Sequence, residues 1–505
     1  MTSPTPLAID GRALSLADVH AVAVARRPVA VAAAARARML ATRAVVAGTV
    51  DRGDVVYGVT TGFGKLSDIA IPHGKLAQLQ VNLVRSHAAG VGPELPEREV
   101  RAMMLLRANV ISKGFSGARP DLPELICGML NAGLWPPIRE QGSVGASGDL
   151  APLAALALTL IGEEFLNTPD GRQLPSADAL REAGLSPVTL APKEGITLIN
   201  GTQAHTGIAA LAVVDARALW ETAHAAGAMT LEALLGTPVA FDERIHDARG
   251  QDGQSASAAR LRTLLADSQL RDSHRDNDPR VQDAYALRCM PQVHGPVLDA
   301  IRFAEGVIGR ELNAATDNPL VFDNGEMLSG GNFHGQAVAM ALDFLAIAMT
   351  NLATIAERRI DRLVHPDLNE GLPPFLTTTA GLSSGFMMAQ VTAASLASEC
   401  KVLSHPASVD TIPTDGSKED VVPMAMGAAW KLRRIIGNVQ HILAIELMCG
   451  AQGLDCRRPL RSSAGVERVH AAVRRHVAPL GEDRVLTHDV LALAAAVSRG
   501  EFVIT

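Results

Sequence analysis

The chain has 505 residues, of which 48% are hydrophobic, 20% charged and only 3% aromatic. Its formal net charge of −7 offers no basic surface for nucleic acid or an anionic membrane, so we expect a small-molecule partner. Five cysteines without C-x-x-C spacing argue against a disulfide framework or a metal site, and no basic N-terminal region leads into a long apolar stretch; we therefore expect a soluble cytoplasmic protein.

Long helices dominate the predicted elements. Strand signals are sparse, and the best short candidates are residues 55–57 and 320–322. Three proline-free segments, 205–235, 334–364 and 424–454, each predict a helix roughly 45 Å long. They are apolar around most of their circumference, which predicts burial in a helix bundle or between subunits.

The predicted organisation is mainly α-helical and has three regions. An N-terminal region of residues 1–200 is followed by a central long-helix bundle at 201–455 and an arginine-rich helical cap at 456–505. No internal repeat or obvious linker divides them.

A glycine-rich loop precedes one apolar helix. Its sequence, GSVGASG at residues 142–148, has no lysine for a P-loop and lacks the glycine spacing of the dinucleotide fingerprint. It also departs from the nucleophile elbow G-x-S-x-G, because Asp149 stands where the second glycine belongs. A tight turn with Asp149 as helix N-cap accounts for the pattern without any chemistry. The loop alone therefore leaves a structural and a chemical role open.

Several other segments concentrate polar groups in an apolar chain. The two tyrosines, Tyr57 and Tyr285, both lie in such segments, and a specific hydroxyl role is favoured because aliphatic residues fill the core. Arg288 suits either an ordinary ion pair or capture of a substrate carboxylate. The amides of Asn200 and Gln282 are equally consistent with buried structural groups and with the lining of a pocket.

Five motifs together carry a family resemblance. In chain order they are YGVTTGFG, GASGDLAPLA, NGTQ, QDAYALRC and SGGNFHG. This set closely resembles the histidine and aromatic amino acid ammonia-lyase family, and the resemblance covers residues 10–495 without a large insertion. It implies a mainly α fold of the fumarase/aspartase-like superfamily, with an elongated bundle of long central helices and a smaller, loop-rich N-terminal region that carries short strands.

The resemblance also implies a cofactor made from the chain itself. In this family the residues that match Ala146, Ser147 and Gly148 cyclise to a 4-methylidene-imidazole-5-one (MIO) group, and no external cofactor or metal is used. The residue types suit that step, because flanking glycines permit a compressed turn and Ser147 supplies a leaving hydroxyl. The start of the following helix favours negative charge that develops on the ring.

The remaining site residues are carried over from the family motifs. Tyr57 is expected to do acid–base work, Arg288 to bind the substrate carboxylate, and Phe333 to line the pocket beside the modified group. The supporting residues are Tyr285, Asn200 and Gln282. The resemblance further implies a homotetramer whose active sites take residues from three subunits, with Tyr57 and Ser147 from different chains.

The substrate depends on a smaller set of residues. Ser86 and His87 resemble the pair that faces the substrate ring in histidine lyases, and Glu419 matches their glutamate. Lys418 and Met290 depart from the usual pattern, since histidine lyases usually have glutamine at the first position and some relatives have it at the second. His87 as a buried, satisfied histidine and Glu419 as a partner of Lys418 are the alternative interpretations.

We expect conversion of L-histidine to trans-urocanate and ammonia. The alternatives are a phenylalanine or tyrosine ammonia-lyase, or a 2,3-aminomutase that returns the amine to the β-carbon. A non-catalytic helical scaffold is disfavoured by the intact Ala-Ser-Gly, both tyrosines and the arginine.

Overall fold

The computed structural model describes residues 5–503 and confirms the mainly helical class. The α-helices are α1 (Leu16–Ala23), α2 (Ala33–Arg52), α3 (Leu76–His87), α4 (Glu97–Ser112), α5 (Asp121–Ala132), α6 (Leu150–Leu160), α7 (Ser176–Glu182), α8 (Glu194–Ile199), α9 (Gln203–Ala233), α10 (Glu243–Asp247), α11 (Asp252–Leu264), α12 (Gln269–Ser273), α13 (Tyr285–Arg288), α14 (Met290–Glu311), α15 (Gln336–Val364), α16 (Met387–Leu403), α17 (Ala425–Cys456), α18 (Ala464–His476) and α19 (Leu486–Ser498). Short 3-10 turns lie at Gly64–Leu66, His73–Lys75, Pro238–Phe241, Pro374–Leu376 and Asp415–Ser417.

The strands form small two-stranded sheets. They are β1 (Leu7–Ile9), β2 (Val29–Val31), β3 (Val91–Glu94), β4 (Arg139–Gln141), β5 (Phe165–Asn167), β6 (Gln173–Pro175), β7 (Leu320–Val321) and β8 (Met327–Leu328). β1 pairs with β2 in parallel, with Leu7 opposite Val29, and the other three pairs are antiparallel.

One strand prediction is confirmed and the other is wrong. Leu320–Val321 forms β7, whereas residues 55–57 form no strand. The Val56 amide donates to Thr60 Oγ1 at 2.9 Å, and the Val56 carbonyl accepts from the Val59 and Thr60 amides. These local bonds close a turn, so the backbone groups that a strand partner would need are already used.

The three long predicted helices are confirmed as α9, α15 and α17. One of them, α15, is long and apolar enough to cross a membrane by length and composition, but 67% of its most apolar window is buried within the structure. The core helix of a soluble protein has the same properties.

The chain divides into two compact units. The first comprises the residues up to Val214 together with Glu305–Asp343 and Pro406–Trp430. The second comprises Asp215–Ala304, Phe344–His405 and the residues from Lys431 onward. The division at residues 200 and 455 stays a prediction.

The first unit is organised around α4, whose residues from Glu99 to Ser112 are all buried. This helix packs against α1 and α5. Beside it, α3, α6 and α8 pack against one another. Because α3 ends at His87, α6 follows the glycine loop and α8 leads into Asn200, this packing sets the relative positions of three predicted site segments.

The core of the second unit contains a buried ion pair. Arg359 donates to Glu446 at 2.6 Å, and both side chains are fully buried. Thr230 donates to the same carboxylate at 3.0 Å, which satisfies a buried charge in an otherwise apolar helix interface. Gly227 lies where an added Cβ would stand 2.5 Å from the Met290 sulfur, so α9 and α14 approach closely.

Candidate active site

The loop at 142–148 requires its glycines. Gly145 and Gly148 have φ angles of +75° and +73°, a region that side chains rarely adopt. A Cβ at Gly148 would lie 2.1 Å from the Gly201 carbonyl oxygen, and the Asp149 amide donates to that oxygen at 2.7 Å. The loop is therefore pressed against the turn at 200–201, a contact that only glycine permits.

Asp149 anchors the loop from behind. Its fully buried carboxylate accepts hydrogen bonds from Ser143 Oγ at 2.7 Å and from the Ala204 and His205 amides at 2.9 and 3.0 Å. His205 Nδ1 lies 2.8 Å away. Asp149 is the N-cap residue of α6, as the turn interpretation predicts, but its side chain makes no hydrogen bond to that helix and instead satisfies free amides at the start of α9.

The electrostatics of this pair favour the ionised carboxylate. Burial alone raises the pKa of Asp149, but the His205 charge and the hydrogen bonds from His205 and Ser143 outweigh it. The pKa of Asp149 therefore lies below its ordinary value.

Asn200 holds the middle of the tripeptide. Its Nδ2 donates to the Ser147 carbonyl oxygen at 2.7 Å. Arg107, completely buried in α4, donates to the Asn200 carbonyl at 2.9 Å and to the Thr197 carbonyl at 2.5 Å. Within residues 5–503, Asn200 Oδ1 has no hydrogen-bond partner, although it is buried. Sequence reasoning found Asn200 through its motif but missed Arg107, which lies far away in the chain.

The tripeptide opens onto two cavities of about 570 and 610 Å³. The residues that line both are Tyr57, Gly64, Ser147, Asn318, Phe333, Asp415 and Glu419. Ala146 lines the smaller one, and Asn200 lines the larger. Most of the predicted site residues of the first unit therefore meet at one place.

Ser147 and Glu419 are directly bonded. Ser147 Oγ donates to one oxygen of the Glu419 carboxylate, and Thr414 Oγ1 donates to the other. The alternative interpretation, in which Glu419 serves only as a partner of Lys418, is therefore wrong. Lys418 lines the smaller cavity beside it.

Tyr57 is half-buried, with its hydroxyl oxygen 3.4 Å from the donating Gly64 amide. Burial raises the pKa of Tyr57, and the Gly64 hydrogen bond lowers it. The negative charges of Asp415 and Glu419 raise the pKa further, so the net shift is upward.

The end of α3 supplies a polar wall of the larger cavity. His87 Nδ1 lies 2.8 Å from the Leu83 carbonyl, a pairing that requires a proton on Nδ1 and leaves Nε2 as an acceptor in the neutral ring. Ser86 Oγ donates to the same carbonyl at 3.1 Å. Asn82 lines this cavity one helical turn before Ser86. Sequence reasoning missed Asn82, although its i, i+4 spacing from Ser86 was a usable signal.

The other predicted residues belong to the second unit. Tyr285 is 70% exposed, and the Arg288 guanidinium carbon lies 4.6 Å from the centre of the tyrosine ring. Arg288 Nε has no hydrogen-bond partner among residues 5–503. Gln282 is exposed at the start of the same segment. Their membership of the site stays a prediction.

The described part of the chain contains neither a cluster of metal-ligating side chains nor a disulfide bond. Residues 5–503 contain no cluster of three His, Cys, Asp or Glu side chains that could hold a metal. The cysteines are all free thiols.

Comparison with known proteins decides the family. The model of the family described as aromatic amino acid lyase matches residues 14–475. The chain belongs to this family. Membership confirms the sequence-based identification and makes the chain a carbon–nitrogen lyase.

Individual relatives agree with this assignment. The chain is 54% identical to a histidine ammonia-lyase of Anaeromyxobacter sp. (strain K), over 98% of this chain and 99% of the relative. Among solved structures, it is similar to histidine ammonia-lyase from Trypanosoma cruzi, with a TM-score of 0.92, 42% identity and coverage of 99% and 94% of the two chains. It is also similar to tyrosine aminomutase from Streptomyces globisporus, with a TM-score of 0.93, 39% identity and coverage of 99% and 98%.

One feature of this lyase differs from the sequence-based expectations. Tyr57 and Ser147 line the same cavities of one chain, so the expectation that they come from different chains is wrong. Met290, which stands where some relatives have glutamine, is completely buried beside Gly227.

Proposed function

We propose that the chain eliminates ammonia from L-histidine to give trans-urocanate. The observation that carries this proposal is the cavity that Ser147, bonded to Glu419, lines together with His87, whose Nε2 is an acceptor. Its curated relatives at 54% and 53% identity are named histidine ammonia-lyase.

We infer that Ala146, Ser147 and Gly148 form the MIO group. The surroundings fit such a group, because Gly148 has no room for a Cβ, Gly145 and Gly148 have left-handed φ angles, and Asn200 holds the Ser147 carbonyl oxygen. The group supplies an electrophile that makes the substrate amine a better leaving group. Ser147→Ala should keep the fold and lose nearly all activity.

The side chains around the tripeptide do the acid–base and binding work. Tyr57 is the proposed base for the β-proton, since it lines the same cavities as Ser147. The raised pKa of Tyr57 makes its phenolate a stronger base once it has formed, while a smaller fraction of the side chain is ionised at neutral pH. General acid–base groups contribute about 10²–10⁴ in rate, so Tyr57→Phe should lower kcat by that range. Phe333 supplies an apolar wall, and we propose that Arg288, with Tyr285, binds the carboxylate.

The imidazole of the substrate is recognised by the end of α3. The free Nε2 of His87 can accept the imidazole N–H, and Leu83 packs beside it on the cavity wall. A phenyl ring offers no such donor and would leave His87 without a partner. A site built around a hydrogen bond discriminates strongly against an analogue that cannot form it.

A second candidate is an aminomutase. The structural likeness to tyrosine aminomutase, together with Lys418 at the cavity, favours testing it. The experiment supplies L-histidine, L-phenylalanine and L-tyrosine separately and identifies the products. Histidine lyase activity predicts urocanate with a far higher kcat/KM for histidine, whereas a β-amino acid product or a preference for tyrosine would contradict it.

We further propose that the chain is a cytoplasmic homotetramer with active sites shared between subunits. Exposed apolar side chains support an assembly. On α15, Phe344 and Ile347 are 46% and 41% exposed, and on α16, Met388 and Val391 are 61% and 46% exposed. Apolar side chains repeated along a helix face are typical of a buried interface.

A further inference from the structure

Two loops bring the proposed base and the proposed carboxylate to the cavity. We call residues 57–66 the tyrosine loop and residues 414–420 the glutamate loop. The 3-10 turns Gly64–Leu66 and Asp415–Ser417 lie in these loops and pack against each other.

Asp415 makes the bond between the loops. Its two carboxylate oxygens accept from the Lys65 backbone amide at 3.1 and 3.3 Å. A Cβ at Gly64 would lie 2.0 Å from Asp415 Oδ2, so the carboxylate sits directly over this turn. The neighbouring Gly64 amide donates to the Tyr57 hydroxyl. Successive amides of one turn therefore bond to Asp415 and to Tyr57.

The glutamate loop holds Asp415 in an unfavourable backbone conformation. Asp415, Gly416 and Ser417 have φ angles of +49°, +58° and +64°. Such strain persists only where surrounding contacts over-determine it. Here the Thr414 amide donates to the Glu419 carbonyl at 2.9 Å, which closes the loop and presents the Asp415 and Glu419 carboxylates to the same cavity.

We propose that Asp415 is a positioning residue that joins the two loops and holds the Tyr57 hydroxyl at the Ser147 side of the cavity. This inference deepens the proposed function, because it rests on Tyr57 as the base. The carboxylate does not contact the reacting atoms in this account. It acts through Gly64 and Lys65.

The charge of Asp415 provides a readout that a purely structural contact would not give. The titratable or charged groups that line the cavities around Tyr57 are His87, His334, Asp415, Lys418, Glu419 and Asp420. Among these, the negative charges of Asp415 and Glu419 raise the pKa of Tyr57. Loss of the Asp415 charge should therefore lower that pKa.

Three variants separate the contact from the charge. Asp415→Asn keeps an oxygen that can accept from Lys65 but removes the charge, and Asp415→Ala removes both. Asp68→Asn is the matched control, because Asp68 is an exposed acid close to the tyrosine loop that lines neither cavity. We expect kcat/KM to fall by about 10²-fold in Asp415→Ala, since small displacements of a catalytic group have that effect. The fall should be several-fold smaller in Asp415→Asn and absent in the control.

The decisive readout does not need the substrate. The chain has two tyrosines, so the Tyr285→Phe background leaves Tyr57 as the single phenol. In that background, the onset of tyrosinate absorbance should move to lower pH in Asp415→Asn and stay in place in Asp68→Asn. An unmoved titration in Asp415→Asn, or an Asp415→Ala variant as active as the control, would overturn the proposal. Because the titration is independent of turnover, a wild-type chain inactive on histidine would contradict the proposed function alone.

Discussion

Arg107→Met removes a buried cation that supports the tripeptide indirectly. Arg107 holds the Asn200 carbonyl, and the Asn200 side chain holds the Ser147 carbonyl. Arg107 donates to the carbonyls of Thr197 and Asn200 and to Gln203 Oε1, all in buried surroundings. Burial lowers the pKa of Arg107 to about 10, against the opposing charges of Asp317 and Asp149, so the group is still a cation at neutral pH.

The cost follows from the acceptors that are left behind. Each buried acceptor that loses its partner costs about 1–3 kcal/mol, and release of the guanidinium from its dry site offsets part of the total. We therefore expect a loss of about 3–5 kcal/mol. At about 2 °C in Tm per kcal/mol for a unit of this size, the Tm should fall by about 6–10 °C. Arg107→Lys keeps the charge without the planar fork and should lose less.

The assay compares Arg107→Met with a second buried arginine of the same helix. Arg101 is 1% exposed and donates to the Leu130 and Val22 carbonyls at 3.1 and 3.0 Å. Arg101→Met should lower the Tm by a similar amount but leave the tripeptide unaffected. Arg107→Met should additionally displace Asn200, and so leave a fraction of the chains without loss of water from the tripeptide, with a matching loss of kcat. Equal dehydration and equal kcat in the two variants would show that Arg107 does not support the tripeptide through Asn200.

Three further outcomes are expected. His87→Leu and Glu419→Gln should each lower the ratio of kcat/KM for histidine over tyrosine, and an unchanged ratio would contradict their role in recognition. The pKa of Asp149 lies below its ordinary value, so the contribution of its carboxylate to stability is complete above about pH 4 and is lost as the pH falls further. The Tm of the wild type should therefore fall more steeply in acid than that of Asp149→Asn. Mixing Ser147→Ala with Arg288→Lys through unfolding and refolding should restore part of the activity if sites are shared between subunits, whereas no recovery by fully reassembled protein would count against sharing.

The features that could be predicted from the sequence are those set by local pattern. The long apolar segments without proline predict α9, α15 and α17, because the hydrophobic pattern of a buried helix can be recognised within one continuous segment. The motif around Ala146 and the NGTQ segment could likewise be recognised, because their functional residues are consecutive in the chain.

The features that could not be predicted depend on distant partners. Asp149 stands at the N-cap position of α6, yet its carboxylate satisfies amides of α9, because those amides are buried and have no other acceptor. Residues 55–57 have the β-branched and aromatic side chains typical of a strand, but Thr60 closes a turn with Val56. The sequence around Asp415 indicates only an acidic residue in a turn, because the Lys65 amide that its carboxylate accepts from is far away in the chain.

The intact mass of the purified, catalytically active chain shows directly whether the tripeptide has cyclised. We expect a mass lower than that of the sequence by two water molecules, with the whole difference in the peptide that contains Ala146, Ser147 and Gly148. A fully active protein with the unmodified mass would contradict this expectation.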